Sequence, residues 1–335
     1  MVVEFSPLPR VCIVSPAFAA ANNGNWHTAS RWQRFLAPVA TAEIRSAWDE
    51  AAGADLLIAL HARRSADSVA CWRERRPAAP IVLVLTGTDL YRDLDDDRRA
   101  QHSLQCASRI VVLQEAGLAR LDAASRSKAT VIVQSASALF AARASGDPDF
   151  VAVGHLREEK DPETLMRAAR LFASGAGASA AVGPTIVHIG GGLEARLAEA
   201  ARATMAACPA YRWLGPLAHT AARRAIARAR ALVHMSRMEG GANVVIEAVR
   251  SRVPVLASRI DGNVGLLGAG YDGYFAVGDA GALAALMRRF IEDAGFAAHL
   301  AAQCALREPL FRPAAERRAV RALLGDLVVA RPSAR

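Results

Sequence analysis

Leu232-Val-His-Met-Ser-Arg-Met-Glu239-Gly-Gly-Ala-Asn-Val-Val-Ile-Glu247-Ala is the stretch that decides how this chain folds. Leu232–His234 reads as a short buried strand. Two adjacent glycines follow in a loop, and a helix starts after them. Strand, glycine loop and helix together make one unit of a parallel sheet wrapped by helices. Glu239 stands before that helix, and Glu247 lies about two turns into it.

The same unit recurs on both sides. Before it, strands are predicted near Val11–Val14, Glu43–Ile44, Leu56–Leu60, Ile81–Leu85, Ile110–Leu113 and Val131–Val133. In the second half they fall near Val151–Val153, Thr185–Ile189, Tyr211–Leu214, Leu232–His234, Val255–Ala257 and Tyr274–Val277. Helical patterns lie between them, for example Pro162–Ala173 and Gly192–Ala207. The fold class is therefore α/β, with two Rossmann-like domains facing a central cleft. The turn-rich Ala144-Ser-Gly-Asp-Pro-Asp149 marks the boundary. Residues 1–148 form the first domain, 149–312 the second, and 313–335 a helical tail. The small-residue run 176–183 reads as a surface insertion.

Composition narrows the class. The 335 residues suit two cores better than one. No apolar run approaches the roughly eighteen residues of a membrane span, and no secretory leader is evident, so a cytoplasmic protein is expected. The net charge is +9, but the basic residues are scattered and aromatics make up only 6%. Solvated helix faces explain most of that charge, and nucleic acid is not the expected partner. The five cysteines include no C-x-x-C pair, which predicts reduced, mostly buried thiols and no metal site.

In open parallel sheets, ligands sit beyond the carboxyl ends of strands, so the loops there carry the chemistry. Gly24 and Asn25 open a helix whose N–H groups suit an anion; taken alone, an Asn/Gly turn with Asn25 as a simple cap is the commoner reason for such a pair. His61, Arg63 and Arg64 deliver positive charge after Leu56–Leu60, or begin a solvated helix. Thr86, Gly87, Thr88, Asp89 and Tyr91 follow the next strand. Asp89 serves there as a general base or as a helix cap, and the run Asp93–Asp97 as an exposed acidic turn. His155, Arg157 and Lys160 can converge on a diphosphate, or form a salt-bridged surface loop. Gly240 and Gly241, with Ala242 and Asn243, let main-chain N–H groups meet phosphate. Of Glu239 and Glu247, one can hold sugar hydroxyls and the other a ribose. Asn263, between Gly262 and Gly265, sits in an anion-binding nest or a flexible glycine loop.

The Glu239…Glu247 spacing, with seven residues between, resembles the E-x7-E element of GT-B glycosyltransferases of the family 4 type. Gly154-His-Leu…Lys160 is similar to that family's diphosphate loop, and Pro254-Val-Leu-Ala-Ser258 to the strand before its last donor loop. His155 departs from the Arg usual there, which leaves either Arg157 to supply that charge or the diphosphate to be held differently. Gly265 stands near the last loop's usual Glu. The resemblance implies a nucleotide-sugar donor in the second domain, an acceptor facing it from the first, and neither cofactor nor metal.

A narrower resemblance runs through Gly24-Asn25, Thr28–Trp32, Ala59–Ser65, Leu85–Tyr91, Gly154–Arg157, Glu239–Asn243 and Gly262–Gly268. Together these segments are similar to the selenosugar synthases of selenoneine biosynthesis. That implies transfer of glucose or N-acetylglucosamine from a UDP-sugar to the selenium of selenophosphate, with hand-over to a downstream selenoneine enzyme. Under this resemblance Glu239, Asp89 and His61 are the catalytic candidates. Gly24, Asn25, His155, Arg157, Lys160, Gly240–Asn243 and Glu247 hold the donor. Arg63, Arg64, Thr86–Thr88, Tyr91 and Asn263 receive the acceptor.

Overall fold

A computed structural model of the chain describes residues 7–16, 24–175 and 185–328. Most of the loop from Pro16 to Asn25, and the 176–183 run, lie outside the described residues.

Six strands form the first sheet: β1 (Arg10–Val14), β2 (Thr41–Arg45), β3 (Leu56–Leu60), β4 (Ile81–Leu85), β5 (Arg109–Val112) and β6 (Ala129–Val131). Six form the second: β7 (Phe150–Val153), β8 (Ile186–Ile189), β9 (Tyr211–Trp213), β10 (Ala231–His234), β11 (Val255–Ser258) and β12 (Tyr274–Phe275). Every recorded pairing is parallel, as Ile58↔Val82 and Leu232↔Val255 illustrate. All five residues of β3 and of β4 are buried. Helices cover both faces of a parallel sheet, so its central strands read as unbroken apolar runs.

The orders differ between the sheets. The second runs β12-β11-β10-β7-β8-β9, the doubly wound dinucleotide-fold order, and it reverses between β7 and β10. The first runs β2-β1-β3-β4-β5-β6 and reverses between β1 and β3. Its first five strands follow the flavodoxin-like order instead.

The chain divides into two compact units, Met1–Gln134 with Pro313–Arg335, and Ser135–Arg312. The crossing comes earlier than the turn-rich stretch suggests, because 135–137 is bonded to unit 2. Ala136 N donates to Phe311 O, Arg250 Nε donates to Ala136 O at 2.9 Å, and Arg223 donates to Ser137 O. The C-terminal helix Pro313–Val328 is no separate tail. Val320, Leu323, Leu324 and Leu327 pack with Trp32 and Leu36 in the core of unit 1. Glu316, buried beneath them, accepts Arg31 Nε at 2.7 Å and Trp32 Nε1 at 2.8 Å. An apolar stripe with one inward carboxylate predicts a helix; only packing shows which core receives it.

Smaller differences have local causes. The helix expected from Gly192 begins at Ala195, since Gly192 is held extended by a parallel bridge to Leu156. β6 starts at Ala129 because Ala129 registers against Ile110. All five cysteines are free thiols, and all but Cys71 are buried. No described helix is long and apolar enough to cross a membrane.

Candidate functional site

Unit 2 gathers its polar groups at the strand ends where the sheet order reverses. The loop after β7 runs from Gly154 to Asp161, and the loop after β10 from Met235 to Ala242. Lys160 from the first forms an ion pair with Glu239 Oε1 from the second. Two devices aim Lys160. Asp161 adopts a left-handed φ of 47°, which ends the preceding turn and starts the helix Pro162–Gly175. Its buried carboxylate accepts Thr164 Oγ1 at 2.8 Å and Arg237 at 3.3 Å, and Arg237 N donates to Glu159 O. The two loops are thus tied to each other on both sides of the Lys160–Glu239 pair.

Glu239 Oε1 also accepts Ser236 Oγ at 3.0 Å, and His234 Nε2 stands 3.7 Å away. Burial alone would raise this carboxyl; Lys160 and His234 override it and hold it well below the usual carboxylate range. A Cβ at Gly262 would collide with Glu239 O, so glycine is required where the helix Asp261–Leu267 passes against the Glu239 loop. The helix Asn243–Arg250 begins just beyond, with Ala242 at its cap position and no side-chain cap. Gly240 and Gly241 lead into it; Val245 N donates to Ala242 O, and the N–H groups of Asn243 and Val244 meet no acceptor among the described residues. Farther along that helix, buried Glu247 accepts His219 Nε2 at 2.6 Å, with Arg223 Nε at 3.9 Å.

Other expected groups are placed differently. His155 Nδ1 accepts the N–H of Gly191, so the ring braces the loop after β8. Arg157 is half-buried, with Glu159 3.8 Å from its Nε. Asn263 forms no nest: Gly262 and Gly265 lie within the helix Asp261–Leu267. The fully buried Asn263 amide donates to Ser258 O at 2.8 Å. A nest needs backbone of alternating handedness, which a right-handed helix does not supply.

In unit 1, His61 follows β3 in a left-handed conformation, φ 74°, and is 3% exposed. Nε2 lies 2.9 Å from Thr88 Oγ1, and Nδ1 receives Arg64 N–H at 3.4 Å. Burial lowers its pKa, opposed in part by Asp89. Asp89 is neither an open base nor a helix cap. Its carboxylate accepts Ala62 N, Thr86 N and Gly87 N at 2.8–3.2 Å, which locks the loops after β3 and β4 together. The positive mouth expected here is countered by acid. Arg63 meets Asp97 at 2.7 Å and Asp93 at 3.7 Å, and Arg92 meets Asp93 at 3.2 Å. Asp93 is buried rather than part of an exposed turn, and Asp97 caps the helix Arg98–Cys106. Arg64 is exposed, and Tyr91 OH accepts Gln114 Nε2 at 2.7 Å. Gly24 and Asn25 form the first turn of the helix Gly24–Leu36, where Thr28 Oγ1 donates to Gly24 O. Asn25 therefore lies inside the helix rather than capping it. Among the described residues no three His, Cys, Asp or Glu side chains come together as a metal-holding group.

Sequence reasoning missed His234, Ser236, Asp161, His219 and Arg223. The available signal was a polar residue closing an otherwise apolar strand at His234, and an Asp-Pro helix start at Asp161.

The comparisons with known proteins agree with this architecture. Residues 139–305 match the family Glycosyl transferases group 1. No curated protein sequence matches the chain significantly. Among solved structures, HepE of Anabaena, in complex with UDP and glucose, is 14% identical. The match covers 95% of this chain and 100% of that one, with a TM-score of 0.73. Sucrose-phosphate synthase from Thermosynechococcus elongatus is 16% identical, with 96% and 100% covered and a TM-score of 0.75. TarM of S. aureus, in complex with UDP and an α-GlcNAc-glycerol, is 15% identical; 81% of this chain and 55% of TarM are covered, with a TM-score of 0.64. Two parallel six-stranded sheets with interspersed helices are thus the GT-B fold, and within it residues 139–305 carry a Glycosyl transferases group 1 domain.

Proposed function

We propose that this chain transfers a glucosyl-type sugar, glucose or N-acetylglucosamine, from a UDP-sugar to the selenium of selenophosphate. The observation that carries the donor half is the Lys160–Glu239 pair at the strand-order reversal of unit 2, beside an uncapped helix start. An anionic diphosphate suits Lys160 and the first N–H groups of Asn243–Arg250. Glu247, with Oε1 held by His219, is assigned to the ribose, and Glu239 to the sugar hydroxyls. The UDP complexes of HepE and TarM lend support by likeness of fold.

The acceptor half rests on the sequence resemblance to selenosugar synthases. Selenophosphate is already anionic near neutral pH, so it needs placement more than deprotonation. Selenium attacks the anomeric carbon, the carbon–oxygen bond to UDP breaks, and UDP leaves with the electron pair. Loss of the phosphoryl group to water then gives a 1-selenosugar for the next enzyme. Exposed Arg64 and the Thr86–Thr88 turn would receive the phosphate.

A second reading, a conventional O-glycosyltransferase, has one observation behind it. His61 stands 3.9 Å from both Asp89 and Asp93, a setting that suits removing a proton from an alcohol.

The test is mass spectrometry of the enzyme with UDP-glucose or UDP-N-acetylglucosamine and freshly made selenophosphate. A selenosugar with stoichiometric UDP is expected. UDP release with alcohol acceptors alone would replace the first reading by the second. Glu247→Ala should weaken UDP-sugar binding about tenfold; unchanged affinity removes the ribose role.

A further inference from the structure

Among the described residues, Glu239 is held on one side only. Lys160, Ser236 and His234 all converge on Oε1. His234 is 3% exposed and ends β10, directly beneath the loop that carries Glu239. Its Nε2 lies 3.2 Å from Ser236 Oγ, while Nδ1 is buried with no partner among the described residues. The ring therefore faces the site with the one nitrogen that touches it. The same serine is fixed from below: its carbonyl accepts Ser258 Oγ at 2.6 Å, and Ser258 in turn receives the Asn263 amide. These four residues form a buried polar chain under Glu239, joining β10, β11 and the helix after it.

A buried histidine at the end of an apolar strand costs stability unless its polar atoms are used. Here half of them are, and only toward Glu239. Resting on the donor-site reading above, we propose that His234 is a positioning residue for the sugar donor. Through Ser236 it clamps Oε1 against Lys160, so that Glu239 meets its ligand through Oε2 alone, as an acceptor for a sugar hydroxyl. Sugar recognition then depends on a residue that does not touch the sugar.

The experiment measures UDP-sugar and UDP affinity by calorimetry for the wild type, His234→Leu, His234→Gln, Ser236→Ala and the Leu/Ala double variant. Leucine fills the space without a polar atom; glutamine returns a donor near the Nε2 position. His234→Leu should weaken UDP-sugar binding about tenfold and leave UDP binding unchanged. His234→Gln should restore most of the loss, and the double variant should be little worse than either single one. Equal losses for UDP and UDP-sugar, or additive losses in the double variant, would overturn the clamp. A ligand-free cycle of His234→Leu with Glu239→Gln in thermal unfolding tests the same clamp alone. Coupling there, in a wild type that binds no UDP-sugar, would keep the clamp and refute the donor reading. Its absence refutes the clamp whatever binds.

Discussion

The two sheets reverse their order at different places, and the carboxylates at their strand ends do different work. In unit 2 the loops after β7 and β10 meet through Lys160 and Glu239, and the described partners Lys160, Ser236 and His234 all approach one carboxylate oxygen. In unit 1 the loop after β3 meets the loop after β4 through Asp89, whose carboxylate takes three backbone N–H groups. A carboxylate gripped by the main chain fixes loops and is closed to a ligand; one gripped on a single side by side chains still has an acceptor to offer. A strand-end carboxylate is thus structural in one unit and available in the other.

That contrast can be broken by substitution. The largest effect is expected for Lys160→Met, which leaves the Glu239 carboxylate without its cation. UDP-sugar affinity should fall by about 3–4 kcal/mol, several hundredfold, with little change in the melting of unit 1. Calorimetry with UDP-sugar, paired with a thermal scan, reads both; a loss confined to stability would make the pair structural after all.

Acid tests the support of the same loop. His188 is fully buried beneath it, with Nε2 3.3 Å from Gly154 O and Nδ1 2.9 Å from Tyr211 OH. Burial lowers its pKa from 6.5 to about 4. The folded value lies below the unfolded one, so the unfolded chain binds the proton first. The stabilisation is complete above pH 6.5 and is lost as the pH falls from 6.5 to about 4. Across that window unit 2 should lose about 3 kcal/mol relative to a His188→Leu control, followed by denaturant unfolding. Parallel curves for the two proteins would remove the histidine from the account.

Asp89→Ala sharpens the contrast from the other side. Three backbone donors lose their acceptor in a buried place, which should cost about 2–3 kcal/mol and lower the melting temperature of unit 1. Donor affinity should stay at the wild-type value. A variant that melts normally but loses turnover would return Asp89 to a catalytic role.

The strands were legible because burial on both faces of a parallel sheet forces apolar runs, as in Leu56–Leu60 and Ile81–Leu85. Lys160, Glu239 and the glycines between Glu239 and Asn243 were legible because each follows such a run. His234 and Ser236 were hidden, since one polar residue at a strand end looks like any other until its neighbours are known. The acidic partners of Arg63 were hidden for a related reason. Asp93 and Asp97 lie in another loop, so the excess of basic residues after β3 looked uncompensated.

By itself, the sequence determined two six-stranded parallel sheets, the ends at which their loops gather, and the residues of the Glu239–Glu247 segment. These follow from local periodicity and from chemistry carried within a few residues. Only the tertiary structure decided the two strand orders, the capture of the helix Pro313–Val328 by unit 1, and the opposite fates of Asp89 and Glu239. Those depend on which distant segments a side chain meets, and on whether the groups it meets leave any of its atoms free.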